Sequence, residues 1–175
     1  MTAAGTFTGF GAGAVEWFAG LERDNSRAYM AGTREVFETQ VREPMVALLT
    51  ELAGERGGEV KLFRQHRDVR FAKDRSPYKI TTYGVLVGRP GTAAGLYAEL
   101  SSAGLYAGSG YHDMAPDQLA RFRVGVDSPA GELLSRVVDG LAGSLSLSGE
   151  ALRGVPRGYR RDHPRVVLLR RTALV

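Results

Sequence analysis

The chain has no cysteine, one tryptophan and only three lysines among its 23 basic residues. Without cysteine there is no disulfide, no thiolate nucleophile and no cysteine-based zinc site, and a cytoplasmic setting is expected. No apolar run approaches the ~20 residues that span a bilayer, so no membrane partner is expected. The opening "MTAAGTFTGFGAGAVEWF" lacks the basic stretch of a secretory signal. The three histidines, His66, His112 and His163, show neither i, i+4 nor H-x-H spacing, so no metal site is expected. Phosphate-loop and nucleophile-elbow patterns are missing too: "GFGAGA" follows no strand, and "GSG" at Gly108 to Gly110 lacks the G-x-S-x-G frame. No cofactor is expected.

What is present fits one domain over residues 1–175, long enough to bury a core. The twenty arginines, with 23 glycines and much alanine, give the chain a GC-rich character in which Arg has drifted in for Lys. All three lysines, Lys61, Lys73 and Lys79, nevertheless fall in one block. Arg and Lys are not interchangeable where a compact ammonium is needed, so that clustering points to a local demand. Charge is uneven as well. Glu59 to Lys79 holds seven cations and three anions, Glu150 to Val175 holds seven and two, and the remainder is net −5. Two basic blocks against a mildly acidic background favour a localised anion site over a generally basic coat. The blocks are expected to converge near the end of a sheet.

Periodicity supplies the elements. "AVEWFAGLERDN" reads as a helix with Ala14, Phe18 and Leu21 on one face and Trp17 beside them. A longer helix is expected from about Thr33 to Ala53, with Phe37, Val41, Met45, Leu48 and Leu52 inward. Pro44 lies inside it, which predicts a kink or a restart, and Gly57-Gly58 ends it. Strands follow: "VKLF", "DVRFA", then "ITTYGVLVG" closed by a turn at Arg89-Pro90-Gly91. The echo in "AGLYAELSSAGLYAGSG" reads as a hairpin around Ser101-Ser102. Pro116 and Pro129 sit where proline suits a first helical turn. The second of these helices is expected to bury Leu133, Leu134, Val137, Val138 and Leu141. "HPRVVLLRR" predicts a last short helix capped by Asp162 or His163. Helices, then strands, then helices predict an α+β fold: a mainly antiparallel sheet with N-terminal helices and further helices packed on it.

The densest chemistry lies in "RQHRDVRFAKDRSPYK", Arg64 to Lys79. As a strand, "DVRFA" would put Arg67, Val69 and Phe71 on one face and Asp68 and Arg70 on the other. Asp68 and Asp74 each follow a cation, so internal pairing accounts for part of the charge. The excess cations need acidic partners elsewhere, water or a ligand. Arg forks take phosphate or carboxylate bidentately and Lys adds a point charge. Ser76-Pro77 forces an extended or turn conformation that fixes Tyr78 and Lys79 beside the strand.

"RDVRFAKDRSPYK" resembles the RDxRFsKDKxPYK signature of the uncharacterised family called domain of unknown function 2461. The opening "FTGFGAGAVEWFAGLERDNSRAYMAGTREVFETQVREPM" is similar to that family's aromatic helix and Asn-Asn-x-Arg turn, and "GEALRGVPRGYRRDHP" to its Pro-x-Gly-Tyr and Asp-His-Pro segment. Asp24-Asn25 stands where the family pairs asparagines and Arg75 where it has lysine, and relatives are expected to continue past Val175. The resemblance implies no agreed reaction. It adds Asn25, Arg27, Asp162 and His163 as secondary candidates, beside which Arg160 of the second basic block is a further one. Asn25 and Arg27 read better as local capping than as ligand contacts, and the Asp162-His163-Pro164 segment better as a helix start than as a catalytic histidine.

Three readings stay open. In the first, Arg67, Asp68, Arg70, Lys73, Asp74, Tyr78 and Lys79 bind an anionic small molecule, with Asp68, Asp74 or Lys73 as catalytic candidates if there is a reaction. In the second, both basic blocks form a nucleic-acid-binding stripe, with Phe63, Phe71, Tyr78 and Tyr83 interleaved among the cations. In the third, the motif is a charge network that braces a non-catalytic scaffold. Aspartates embedded among the cations repel a polyphosphate backbone and favour the first over the second.

Overall fold

The face formed by Ala14, Trp17, Phe18 and Leu21 is buried along helix α1 (Ala12–Arg23) in the computed structural model, which describes residues 6–88, 95–112 and 114–175. Ser26 caps the next helix, α2 (Arg27–Gly32), its Oγ accepting from the Tyr29 N–H at 3.1 Å. Tyr29 returns to α1, donating its hydroxyl to the Trp17 carbonyl at 2.8 Å, while the Trp17 indole N–H donates to Thr33 Oγ1 at 2.9 Å. Both polar tips of these aromatic residues are therefore satisfied where their rings are buried.

The long helix expected from Thr33 to Ala53 is three pieces. A single turn, α3 (Arg34–Val36), runs into a π-helical segment (Phe37–Arg42), and α4 (Glu43–Arg56) restarts with Pro44 in its first turn. Proline has no N–H to give the carbonyl four residues back and its ring crowds that carbonyl. The chain answers by widening: the Glu43 N–H reaches the Glu38 carbonyl, five residues back. Phe37, Val41, Met45 and Leu49 then share the buried side at a uniform spacing of four. Leu49 takes the place that a regular α-helix would have given to Leu48 and Leu52; Leu48 packs at the core's edge. Full burial of a side chain such as Phe18, Leu21 or Leu49 contributes about 1.5–3 kcal/mol. Gly57 and Gly58 end α4 with φ of 70° and 111°, and a Cβ at Gly58 would lie 2.4 Å from the Val87 carbonyl oxygen.

Strands β1 (Glu59–Leu62), β2 (Thr82–Val87), β3 (Gly95–Ser101) and β4 (Gly104–Gly110) form an antiparallel sheet in that order, the last two joined as the expected hairpin. Alternation along β2 buries Thr82, Gly84 and Leu86 and turns Tyr83, Val85 and Val87 to the opposite face. Helix α4 lies close to the sheet at Gly84, where a Cβ would meet Leu49 Cδ1 at 2.4 Å. Ala98 and Leu100 of β3 complete this core. The other face carries an aromatic row, Phe63, Tyr83, Tyr97 and Tyr106, with successive centroids 4.6, 5.8 and 6.2 Å apart.

The architecture is α+β with an antiparallel sheet. The chain divides into two compact units, residues 1–109 and 110–175. The second holds α5 (Pro116–Val126), α6 (Pro129–Leu141) and α7 (Val166–Leu169) around Val126, Leu168 and Leu169. Both prolines stand at the expected first turns, and Ser128 caps α6 by accepting from the Ala130 N–H at 3.2 Å. Three sequence expectations change. The stretch "DVRFA" is a loop and turn, with Phe71 97% exposed. On α6, Leu133, Val137 and Leu141 are exposed, because this helix meets its own unit's core through the line of Leu134 and Gly131. Helix α7 begins only at Val166, with Pro164 in the turn that precedes it. The turn expected at Arg89-Pro90-Gly91 lies outside the described residues.

Close approach of α5 and α6 gives a direct test. A Cβ on Gly131 would stand 1.9 Å from the Val126 carbonyl oxygen, whereas one on Gly125 meets nothing within 4 Å. Gly131→Ala is expected to destabilise by about 1–3 kcal/mol or more. Gly125→Ala, inside α5, is expected to stabilise by up to about 1 kcal/mol. Denaturant unfolding of the pair reads both signs.

Candidate functional site

Beyond Leu62 and Gly84 the β1–β2 ladder continues, but it slips. The Phe63 N–H still donates to the Tyr83 carbonyl at 3.1 Å. Two residues on, the Lys79 N–H donates to the Gln65 carbonyl at 2.9 Å, His66 bridges Tyr78, and the Arg67 N–H donates to the Pro77 carbonyl at 2.9 Å. One strand has advanced by two residues, Phe63 to Gln65, while its partner has advanced by four, Tyr83 to Lys79. The two extra residues, Ile80 and Thr81, form a bulge that leaves backbone carbonyls without ladder partners. Gln65 supplies them. Its buried Nε2 donates to the carbonyls of Lys79 and Thr81, and its Oε1 accepts from Thr82 Oγ1 at 2.6 Å.

A second amide anchors the neighbouring residue. Asn25 Nδ2 donates to the Tyr78 carbonyl at 3.0 Å, and Asn25 Oδ1 accepts from the Tyr78 N–H at 3.1 Å. Asn25 thus clamps a chain segment 53 residues away, while the local cap of α2 is Ser26. The Tyr78 side chain is buried in the first core with its ring 4.9 Å from that of His66.

Between these anchors, residues 68–76 form an exposed loop whose charges largely face one another. Arg70 grips Asp68 through Nε at 2.9 Å and Nη2 at 2.6 Å. Asp74 pairs with Arg67 and also accepts from the Ser76 N–H at 2.8 Å and hydroxyl at 2.6 Å. Arg75 donates to the Val69 carbonyl at 3.1 Å. The Arg70 hydrogen bonds hold the Asp68 carboxyl below its usual range, and those from Ser76 and then Arg67 hold Asp74 well below it. A carboxylate stabilised in this way is a weak proton acceptor near neutral pH, which suits bracing better than general-base work. Lys73 is exposed at a bend, without a hydrogen-bond or ion-pair partner among the described residues.

The other two lysines sit over rings. Lys61 Nζ lies 5.0 Å from the Phe63 centroid and Lys79 Nζ 4.5 Å from that of Tyr83. Lys79 also donates to the Arg64 carbonyl at 2.9 Å and the Tyr83 hydroxyl at 3.2 Å.

Beside this braced segment a cleft of about 230 Å³ opens between the π-helical segment and the end of β1. Its apolar wall is Met30, Phe37, Leu62 and Phe63. Its charged groups are Arg34, Glu38, Arg42 and Arg64, and Gln65, His66 and Thr82 add polar atoms. Arg42 meets Glu38 at 3.3 Å. Arg34 and Arg64 are exposed and have no ion-pair or side-chain hydrogen-bond partner among the described residues. Sequence reasoning missed Arg34, Glu38 and Arg42. The signal was there, as charges at a spacing of four beside the apolar stripe, but such a row ordinarily reads as a solvated helix face.

Of the expected site residues, Arg67, Asp68, Arg70 and Asp74 come together as paired groups of the loop, and Tyr78 and Lys79 lie at its root. Arg27 stands exposed at the start of α2. The remaining candidates belong to the second unit. Arg160 grips Asp162 at 2.9 and 2.6 Å. His163 Nδ1 accepts from the Arg165 N–H at 3.0 Å, so its Nε2 carries the proton donated to Asp127 at 2.9 Å. Both ring nitrogens are thus occupied in holding the approach to α7, whose N-cap is Arg165 with no side-chain cap, so neither Asp162, held by Arg160, nor His163 is the expected cap. The two basic blocks fall in different units.

Among the described residues no helix is long and apolar enough to cross a membrane. A family model described as conserved hypothetical protein, DUF2461, matches residues 13–175. No curated protein and no solved structure matches the chain.

The anchors predict two measurements. Asn25→Ala and Gln65→Ala each remove the partners of part-buried backbone groups and are expected to cost about 1–3 kcal/mol in chemical denaturation. For Asp74 the folded pKa lies below the unfolded one, so its stabilisation is present above the ordinary carboxylate pKa and fades as pH falls through that range. Asp74→Asn is therefore expected to flatten the acid side of a melting-temperature profile between about pH 5 and 2. Parallel profiles would refute the pairing.

Proposed function

The chain belongs to the DUF2461 family of conserved hypothetical proteins, and we propose that it is a cytoplasmic domain that binds a small anionic molecule, bearing phosphate or carboxylate, in the cleft beside the charged loop. The observation that carries this reading is the pair of guanidiniums, Arg34 and Arg64, that have no ion-pair or side-chain hydrogen-bond partner among the described residues and line a cleft with an apolar wall. Arginine's planar fork matches carboxylate and phosphate geometry, and an apolar wall beside it lowers competition from water. The volume, about 230 Å³, lies below the usual range for small-molecule sites, about 300–1,000 Å³, and suits a small ligand.

The loop acts in this proposal as a brace. Asp68 and Asp74 neutralise Arg70 and Arg67, and the root formed by Gln65, Lys79 and Tyr78 holds Arg64 and His66 at the cleft. No reaction is assigned, because the pairing of Asp68 and Asp74 supports orientation more than proton transfer.

The test is ligand-induced stabilisation. Phosphorylated metabolites, carboxylates and short oligonucleotides are screened by thermal shift, then Arg34→Ala and Arg64→Ala are screened with the hits. A ligand at 100 times its Kd stabilises by about 2.7 kcal/mol. The variants, at exposed positions, are expected to keep wild-type stability within about 0.5 kcal/mol and to lose that shift. Failure of every small anion, or equal shifts in the variants, overturns the assignment. Binding confined to oligonucleotides and falling steeply with salt would transfer it to nucleic acid.

A further inference from the structure

Within the anion-site reading above, on which this step rests, we infer that the preferred ligand carries a dianionic head, of the phosphate monoester class, on an apolar or aromatic body. The inference follows from the charges that share the cleft. Three guanidiniums, Arg34, Arg42 and Arg64, face one carboxylate, Glu38, which leaves two positive charges with histidine counted as neutral. A sulfate ester or a monocarboxylate neutralises one of them. A phosphate monoester is close to a dianion above its second pKa of about 6, and neutralises both. Low-dielectric apolar walls make an uncompensated charge costlier there than in open water, so matching the head's charge to the site's sets the preference.

The Glu38–Arg42 contact supports the same class. It is a single contact of 3.3 Å between half-exposed side chains, longer than an ordinary charge-assisted hydrogen bond. Glu38 holds Arg42 loosely, in the place an anion's oxygen would take. A phosphate has oxygens enough to engage the free guanidiniums and Arg42 together. A carboxylate has two, which the free guanidiniums already satisfy. The body of the ligand lies along Met30, Phe37, Leu62 and Phe63.

The experiment compares phenyl phosphate, phenyl sulfate and phenol by isothermal titration at pH 8. The two esters share shape and differ by one charge. Phenyl phosphate is expected to bind about tenfold or more tightly than phenyl sulfate, and phenol not measurably. Arg42→Gln is expected to shrink the phosphate-to-sulfate ratio towards one, and Glu38→Gln to strengthen phosphate binding. Equal affinity for the two esters, with both lost in Arg64→Ala, overturns the dianion preference and leaves the anion site standing. If neither ester binds, or phenol binds as well as they do, the anion site itself is refuted.

Discussion

Gln65 reaches across the place where two strands fall out of step and gives their backbone the hydrogen bonds that the slip removes. Its amide makes three hydrogen bonds in a nearly closed environment. A buried carbonyl left without a donor is costly, so the two-residue bulge at Ile80 and Thr81 is tolerable only with a donor built into the opposing strand. Everything at the candidate site is referenced to this point. Arg64 and His66 flank Gln65 in sequence, Lys79 pairs with its backbone, and the charged loop grows from the short ladder beyond it. The Asn25 amide repeats the device one residue further on and ties the ladder to the helices.

The charges divide into two populations under this frame. In the exposed loop each of the two aspartates is gripped by an arginine two or seven residues away, while Lys73 and Arg75 have no carboxylate among the described residues. On the cleft Arg42 meets Glu38, and Arg34 and Arg64 have no ion-pair partner among the described residues. Short-range pairing braces the loop around its two aspartates, and at the cleft Arg34, Arg42 and Arg64 outweigh Glu38. The skew towards arginine has a structural side here, since fork-shaped groups fill paired positions. Lysine is kept at Lys61 and Lys79, where a compact ammonium lies over an aromatic ring.

Much of this was legible from residue order. The buried face of α1, the disruption at Pro44, the Gly57-Gly58 stop, the hairpin after residue 94 and the helix starts at Pro116 and Pro129 each follow from one strong local rule. The failures have a common cause. "DVRFA" alternates like a strand, but its aspartate and arginine find each other within a turn and draw the backbone out of the ladder. Leu48 and Leu52 obey an α-helical period that the π-helical segment resets. Asn25 reads as a local cap until a partner 53 residues away is known. Periodicity sees neighbours; it does not see which distant backbone group is short of a partner.

The widened turn before Pro44 has a consequence for how this chain varies. Within a regular helix, the angular positions of Arg34 and Leu49 are rigidly linked, so any change that retunes one face disturbs the other. An i→i+5 segment works like a slip joint in a drive shaft. It lets the part that carries Arg34 and Phe37 be phased separately from the part that carries Met45 and Leu49. The exposed face that carries Arg34 can then be altered while the interior it is bolted to stays the same.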